Sequence, residues 1–599
     1  MDESLNQDAD PEIALDFAPR QIIEQAYRWA WLRRANVLCA ALLLAMSLQM
    51  LAAISRKSIT NDEIVHIPAG YYHLVVGNYQ LNNEHPPLAK MWAALPLLFI
   101  QPVESKRTAE ELDANFGEVT WSFHSRFWGE NKSQFELISF WTRLMMIIAT
   151  VGLGFLLFIY ARELFGNVVA LLAVAMFSLE PTLLAHGRIV HTDVPAELVY
   201  LLFFFALLKY VKTLSVKSAL ILGLISGIAL ITKFSMIVLL PVLTATAVGG
   251  IAFASRLDID RKKLVLHCGL VLCLILLVIN TAYRFQSPPI EPGDVKWVQT
   301  RSPEKFDQWM TFFKVGSKVL PTYYLFGQYN VMVHNRDGHA ASLLGQYRSK
   351  GWWYYFPVAF SLKTTIPFLL LAIAGLAWAL YQLLMKKDNR FVWLLIPFAI
   401  YCALSMSTHI NIGIRHFLPA YSFLFIAAAV FLERLIQVKR VKYLGMGLVI
   451  VAFAGMSFEA IRTFPNYIPY MNQLAVGEPK WWYLSDSNVE WGDDAKELAA
   501  YLRAHGETEV DGAISAGWTT LAPYGITYHE IFPRPGVLIP ETKYVAIGAG
   551  YLNGSTIAVS PDKNGKMLSE EERVNFLDSY RHRQPEVILG NSTYVYRVK

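Results

Sequence analysis

Long apolar runs separated by short polar loops constrain this chain more than any other feature of its sequence. A bilayer-spanning helix needs roughly twenty mostly apolar residues, and about eleven segments qualify. The predicted spans are 37–54, 137–160, 168–184, 194–208, 219–231, 234–254, 264–283, 357–384, 391–406, 414–432 and 443–458. Of the 599 residues, 54% are hydrophobic and only 17% are charged, which is typical of an integral membrane protein. The sequence therefore predicts a polytopic α-helical membrane protein with about eleven transmembrane helices.

The basic residues of the short loops predict the orientation of these spans. Lysines and arginines cluster before the first and seventh spans, after the fourth, and in two later loops of the same parity. The positive-inside rule makes that side cytoplasmic. Residues 1–33 are then a cytoplasmic N-terminal segment and 34–460 the membrane domain. Loops 56–136, 186–193 and 284–353 lie on the outer side, as does a soluble α/β domain predicted over 461–599.

Composition also excludes some partners and sites. The net charge of +5 arises from residues placed between apolar runs, so it indicates orientation and gives no sign of a nucleic-acid partner. The four cysteines all fall inside predicted spans without a Cys-x-x-Cys spacing. We expect neither disulfides nor a cysteine metal site.

The loop after the first span carries the densest group of candidate catalytic residues. Asp62 and Glu63 are adjacent and lie just beyond the predicted end of the span, and Glu84 and His85 follow before Lys90. A carboxylate at the lip of a cavity can take a proton from an acceptor hydroxyl. The alternative is that the acidic pair caps a surface helix, because Thr or Asn followed by acidic residues is also an N-terminal helix signature.

Three later cations suggest a phosphate site. Arg188 precedes Asp193 by five residues in a very short loop, Lys233 lies between two apolar segments, and Arg415 and His416 open the tenth span. Three cations on one face of one bundle suit a phosphate. Each also has a simpler explanation.

The simpler explanations concern the same cations. Arg188 can form a structural salt bridge with Asp193 or Glu63. The aliphatic part of the Lys233 side chain can lie along the apolar surface while its ammonium group reaches water. Arg415 and His416 can act as anchors at the membrane interface.

A metal site is not assigned. The run SDSNVEWGDD at 485–494 does not have the spacing of a calcium-binding EF-hand, and capping of the following helix explains it better. Glu84 and the histidines of the outer loops show no diagnostic spacing. No cofactor is predicted, although a divalent cation stays open.

These motifs together resemble glycosyltransferase family 39 of the GT-C superfamily, which includes the protein O-mannosyltransferases and the aminoarabinose transferases that act on lipid A. The resemblance rests on Asp62-Glu63, on Arg188 five residues before Asp193, and on HPPLAK at 85–90, which is similar to the family's His-Pro-Pro-x-Gly-Lys. Glu84 before this motif is more similar to the lipid A branch. The likeness covers roughly residues 34 to 463. Loop 284–353 is too short for the β-trefoil repeats of the eukaryotic O-mannosyltransferases.

The resemblance implies a GT-C fold and an inverting transfer of a sugar from a polyprenyl-phosphate donor to a hydroxyl on a lipid, glycan or protein acceptor. It implies an integral protein of the plasma (inner) membrane whose active site faces the extracytoplasmic side. The resemblance implies catalytic roles for Asp62 as the base and for Glu63 and Asp193 as acceptor-site partners, and it implies donor-phosphate contacts at Arg415 and Lys233. Arg188 and His416 are further candidate ligands of the donor phosphate. Glu84, His85 and Lys90 are the candidate residues of the donor or acceptor pocket.

A transporter or lipid flippase is the alternative function. Many spans with scattered charge are also what transport requires. The candidate charges, however, gather at one face instead of the midplane, and the two halves of the sequence show no repeat.

Overall fold

The structure of the protein is a computed structural model that describes residues 17–108, 111, 116–256, 258–531, 539–555 and 568–599, with backbone alone at 17–33 and 116–120. Residues 1–16 of the predicted N-terminal segment lie outside the described residues. The rest of that segment is helical and continues into the first span, since helix α1 is Phe17–Ile54.

Apolar helices appear in the predicted order. Within the described ranges, nine helices are long and apolar enough to cross a membrane. They are Arg34–Ile54, Lys132–Phe165, Asp193–Thr213, Phe234–Ala252, Arg261–Ala282, Ile366–Lys386, Asn389–Met406, Ile414–Gln437 and Lys442–Thr463. Two shorter apolar helices, Asn167–Leu179 and Val216–Leu230, correspond to the remaining predicted spans. The predicted fold class, a polytopic helical membrane protein, is confirmed.

The helix Leu418–Gln437 forms the centre of the bundle, because every residue from Leu418 to Val430 is buried. Its Phe425 stacks on Phe368 of the helix Ile366–Lys386 with ring centroids 4.4 Å apart. Gly375 lies so close to the same helix that a Cβ there would meet the Ala427 carbonyl at 2.4 Å. Small residues of this kind allow membrane helices to pack tightly.

The loops between spans hold further short elements. Helices α2 (Asn61–Val75) and α3 (Leu88–Ala94) follow the first span. The other loop helices are Leu97–Ile100, Phe116–Glu130, Pro181–His186, Pro292–Arg301, Phe306–Gly316, Thr322–Asp337 and Tyr355–Lys363. A hairpin of β1 (Ala341–Leu343) and β2 (Gln346–Arg348) completes the loop before the eighth predicted span.

The C-terminal region contains the predicted α/β domain. Its strands are β3 (Glu509–Ala513), β4 (Thr527–Glu530), β5 (Tyr544–Gly548), β6 (Val587–Leu589) and β7 (Thr593–Arg597). They form one mixed sheet in the order β4-β3-β5-β7-β6, in which β3 is parallel to β4 and β5. The amphipathic helix Ala495–Ala504 buries Leu498 and Leu502 against this sheet. The remaining helices are Lys480–Tyr483, Gly517–Thr520, Ala549–Leu552, Glu570–Val574 and Asp578–Arg581.

The segment before this sheet is attached to the loop after the first span. The Ser58 N–H donates to the Asp493 carbonyl and the Asn61 N–H to the Trp491 carbonyl, each at 2.9 Å. Lys57 Nζ lies 2.6 Å from Asp494 Oδ1 in a buried ion pair. The start of α2 is therefore held by residues more than 400 positions away in the sequence.

Candidate active site

The adjacent carboxylates Asp62 and Glu63 point in different directions from the first turn of α2. Successive residues of a helix project about 100° apart, so neighbours cannot face the same surroundings. Glu63 turns back to accept a hydrogen bond from the Thr60 N–H at 2.7 Å, as in a capping box. Asp62 instead faces Arg415 on a distant helix. The capping alternative is correct for Glu63, and Asp62 reaches the site.

Glu63 is fully buried in a structural network. Arg143 donates from Nε to Glu63 Oε1 at 2.8 Å and from Nη2 to Oε2 at 2.5 Å, and the Val190 N–H donates to Oε1 at 3.0 Å. These bonds join the loop after the first span, the helix Phe135–Phe165 and the turn before Asp193. Because Glu63 is fully buried and both of its carboxylate oxygens accept hydrogen bonds, we infer a structural role for it.

Asp62 and Arg415 form the first ion pair of the site. Arg415 Nη1 donates to Asp62 Oδ2 at 2.5 Å, and the indole N–H of Trp491 donates to Oδ1 at 3.3 Å. The Asp62 side chain is 24% exposed and that of Arg415 only 6%. Burial disfavours the charged form of Asp62, but Arg415 and His66 outweigh it and lower the pKa of Asp62 below its ordinary value. Asp62 is therefore ionised at neutral pH.

Asp193 and Lys233 form a second ion pair beside the first. Lys233 Nζ donates to Asp193 Oδ1, and His191 Nδ1 lies 2.9 Å from Asp193 Oδ2. Arg415 Nη1 is 3.9 Å from the same Oδ2, so one guanidinium faces both carboxylates. The structure thus brings together acids from two loops and cations from two others.

The pocket residues Glu84, His85 and Lys90 form an adjoining wall. The ring of His85 lies 5.1 Å from that of His66, which is one helical turn beyond Asp62. The Glu84 carboxylate is half-buried, and burial, with Asp62 nearby, raises its pKa to about 6. Lys90 is buried and donates to the carbonyl oxygens of Asn82 and His85 at 2.7 and 2.8 Å. Lys90 therefore stabilises the loop that carries Glu84.

Two of the predicted phosphate contacts lie in different surroundings. Arg188 is fully buried and donates from Nη2 to Asp493 Oδ2 at 3.1 Å. The structure therefore corrects the expected partner, Asp193 or Glu63, and places Arg188 in the contact with the C-terminal region. His416 follows Arg415 in the 3-10 turn Ile414–Phe417 and remains partly exposed.

The sequence analysis missed Trp491 as a site residue. Its ring lies under the Arg415 guanidinium at 4.1 Å. The run around it had been explained by helix capping, but the Asp494 side chain makes no capping bond and instead pairs with Lys57. The only signal for Trp491 in the sequence was its position between acidic residues. Its partners Asp62 and Arg415 are too distant in the sequence to be recognised from the local pattern.

No metal centre is assigned. Among the described residues, no group of three or more His, Cys, Asp or Glu side chains is arranged to hold a metal ion.

Comparison with known proteins gives one family match. Residues 135–283 match the family described as dolichyl-phosphate-mannose-protein mannosyltransferase. This segment contains Asp193 and Lys233 but neither Asp62 nor Arg415. The match confirms the resemblance predicted from the sequence and relates the chain to glycosyltransferases. No curated protein matches the chain.

Several solved structures share a distant overall similarity. The ArnT protein of Cupriavidus metallidurans in the apo state is 12% identical, with a TM-score of 0.47 over 95% of this chain and 98% of that chain. The S. cerevisiae protein O-mannosyltransferase Pmt1-Pmt2 complex bound to the sugar donor is 12% identical, with a TM-score of 0.48 over 72% of this chain and 89% of that one. The Archaeoglobus fulgidus oligosaccharyltransferase in complex with Zn and sulfate is also 12% identical, with a TM-score of 0.45 over 86% of this chain and 68% of that one.

Proposed function

We propose that this chain, a relative of the dolichyl-phosphate-mannose-protein mannosyltransferases, transfers a sugar from a polyprenyl-phosphate donor to a hydroxyl acceptor with inversion at the anomeric carbon. The observation that carries the proposal is the position of Arg415, which faces both Asp62 and Asp193 at one end of the helix bundle. This arrangement supplies a base for the acceptor and a cation for the leaving phosphate in one place.

Arg415 and Lys233 are the proposed ligands of the donor phosphate. Each already has a carboxylate partner, so the two ion pairs are neutral together. A sugar phosphodiester adds one negative charge and competes with Asp62 and Asp193 for the cations. A guanidinium matches the oxygens of a phosphate in geometry and charge. Fixed positive charge also stabilises the polyprenyl phosphate as it leaves, which removes the need for a general acid.

Asp62 is the proposed base. As the acceptor oxygen forms its bond to the anomeric carbon, the bond from that carbon to the phosphate oxygen breaks and the acceptor proton passes to Asp62. Asp62 is the more exposed of the two acids. Asp193 is held by Lys233 and His191 and is 3% exposed, so we assign it a positioning role.

Donor binding and base activation are coupled in this mechanism. While Asp62 is paired with Arg415, its pKa is lowered and it is a weak base. A phosphate that takes over Arg415 removes the cation that lowers this pKa. Asp62 therefore becomes a stronger base when the donor is in place, which disfavours proton abstraction in its absence.

The helix Asp193–Thr213 supports a site on the extracytoplasmic face. It begins at Asp193 in the site and ends near Lys209 and Lys212, which pair with Glu163 at 2.9 Å. A helix rises 1.5 Å per residue, so these ends are about 30 Å apart, the thickness of a bilayer core. The positive-inside rule assigns the lysine end to the cytoplasm and the Asp193 end to the opposite face. In a bacterial cell this is the outer face of the plasma (inner) membrane.

The proposal is tested by transfer in proteoliposomes. Purified protein is given a polyprenyl-phosphate sugar labelled in the sugar, together with an extract containing candidate lipid, glycan and protein acceptors. We expect label to enter an acceptor with stoichiometric release of polyprenyl phosphate. A flippase would move intact donor across the bilayer without releasing phosphate, and that result would contradict the proposal.

A further inference from the structure

Trp491 is a buried residue of the C-terminal region that contacts both members of the Asp62–Arg415 pair. Its indole N–H donates to Asp62 Oδ1 at 3.3 Å, while its ring carries the Arg415 guanidinium at 4.1 Å from the centroid. The same ring lies 6.0 Å from that of His191, the neighbour of Asp193. One side chain therefore contacts the proposed base, the proposed phosphate ligand and the group beside the second acid.

The backbone around Trp491 is fixed to the elements it contacts. Its carbonyl accepts from the Asn61 N–H, one residue before Asp62, at 2.9 Å. Asp493 accepts from Arg188 in the turn that leads to Asp193, and Asp494 pairs with Lys57. These ionic and backbone contacts are made by Trp491 itself and by the residues two and three positions after it. The indole position is thus set relative to both loops of the site.

We propose that Trp491 is a positioning residue that holds Asp62 and Arg415 in register, so that the C-terminal region completes the transferase site. This inference rests on the proposed function. The indole N–H of Trp491 binds Asp62 Oδ1, so that Oδ2 faces Arg415. The indole ring supports the Arg415 guanidinium when the donor phosphate replaces the Asp62 carboxylate. Cation–π contact of this kind strengthens as the site becomes dry.

Two substitutions separate these contacts. Trp491→Phe keeps a ring under Arg415 but removes the N–H, and Trp491→Leu removes both. Trp518→Phe is the matched control, because Trp518 belongs to the same region but is 37% exposed and makes no contact with Asp62 among the hydrogen bonds of the described residues. All three are compared with the wild type in the full-length protein.

The first readout is the titration of Asp62, which needs no activity. Carbodiimide labelling of Asp62 is followed by mass spectrometry as a function of pH. The variants do not substitute any of the other charged or titratable groups that face Asp62, which are His66, Glu84, Asp193, His339, Arg415, His416 and Asp486. Loss of a hydrogen bond to the charged form should raise the labelling midpoint by about one pH unit in Trp491→Phe and Trp491→Leu.

The second readout compares the effects of each substitution on kcat and on the donor KM. In Trp491→Phe the kcat should fall about tenfold with the donor KM unchanged, because the ring remains. In Trp491→Leu the donor KM should also rise about three- to tenfold. Unchanged labelling in Trp491→Phe, or an equal shift in Trp518→Phe, would overturn the assignment.

The two proposals fail separately. If the wild type transfers no sugar, the proposed function fails while the labelling of Asp62 still decides the position of Trp491. If Trp491→Phe does not fold, Trp491→Leu and the control decide it by the same labelling midpoint.

Discussion

Asp62→Asn should abolish turnover and at the same time tighten donor binding. The substitution removes the proposed base, which costs about 10²- to 10⁴-fold in kcat. It also removes the anion that competes with the donor phosphate for Arg415, whose Nη1 is 2.5 Å from Asp62 Oδ2. A simple loss of folding would weaken both properties, so the opposite signs are diagnostic.

The size of the binding effect follows from the ion pair. Two unit charges about 4 Å apart interact by about 4 kcal/mol at an effective dielectric constant of about 20. Desolvation offsets most of this interaction, and the partial exposure of Asp62 screens it further. We therefore expect a gain of about 1 kcal/mol, which corresponds to roughly fivefold tighter binding of polyprenyl phosphate.

The assay measures both quantities on the same preparation. Binding of polyprenyl phosphate is titrated by calorimetry or by the shift in thermal unfolding, and single-turnover transfer is followed with labelled donor. Asp388→Asn is the matched control, because Asp388 also pairs with an arginine, Arg390, at 2.7 Å and its side chain is 22% exposed. Near-normal turnover in Asp62→Asn, or weaker binding of polyprenyl phosphate, would refute the reasoning.

Three further predictions concern the surrounding residues. Arg415→Lys keeps the charge but loses the planar guanidinium and its stacking on Trp491, so the donor KM should rise about tenfold with the acceptor KM unchanged. If steady-state kinetics show a higher acceptor KM and an unchanged donor KM, Arg415 is not a ligand of the donor phosphate. Glu63→Gln leaves the buried Arg143 without a counter-charge and should lower the free energy of unfolding by about 3–5 kcal/mol. Thermal unfolding in detergent measures this change, and a change below about 1 kcal/mol would contradict the structural role of Glu63. Glu84, with its pKa raised to about 6, gains a proton as the pH falls through that value, so the acceptor KM should rise below about pH 6. Glu84→Gln should abolish this pH dependence of the acceptor KM. If the rise of KM at low pH persists in Glu84→Gln, another group is responsible for it.

The sequence predicted the bundle because membrane crossing leaves a local signal. Each span is a long apolar run, and the basic residues of the loops indicate which loops share one side of the membrane. The location of Asp62 and Asp193 at the same end followed from counting spans. The same counting could not determine which of two adjacent carboxylates faces the site. That depends on the helical phase of α2, which Glu63 fixes by bonding to Thr60 and Arg143.

The contribution of the C-terminal region could not be predicted. Arg188 and Asp493 are 305 residues apart in the sequence, and nothing in either local pattern names the other. The sequence explains the run 485–494 around Trp491 by helix capping, but the Asp494 side chain makes no capping bond. Pairings between distant segments depend on how the whole chain packs, so they are visible in the structure alone.

The central claim is that a polyprenyl phosphate binds with its phosphate at Arg415 and Lys233 and displaces the carboxylates from them. An experimental structure of the protein with bound polyprenyl phosphate tests this most directly. We expect phosphate oxygens within hydrogen-bond distance of both cations and the Asp62 carboxylate released from Arg415 toward the pocket. A phosphate bound elsewhere, with the Asp62–Arg415 pair intact, would contradict the account.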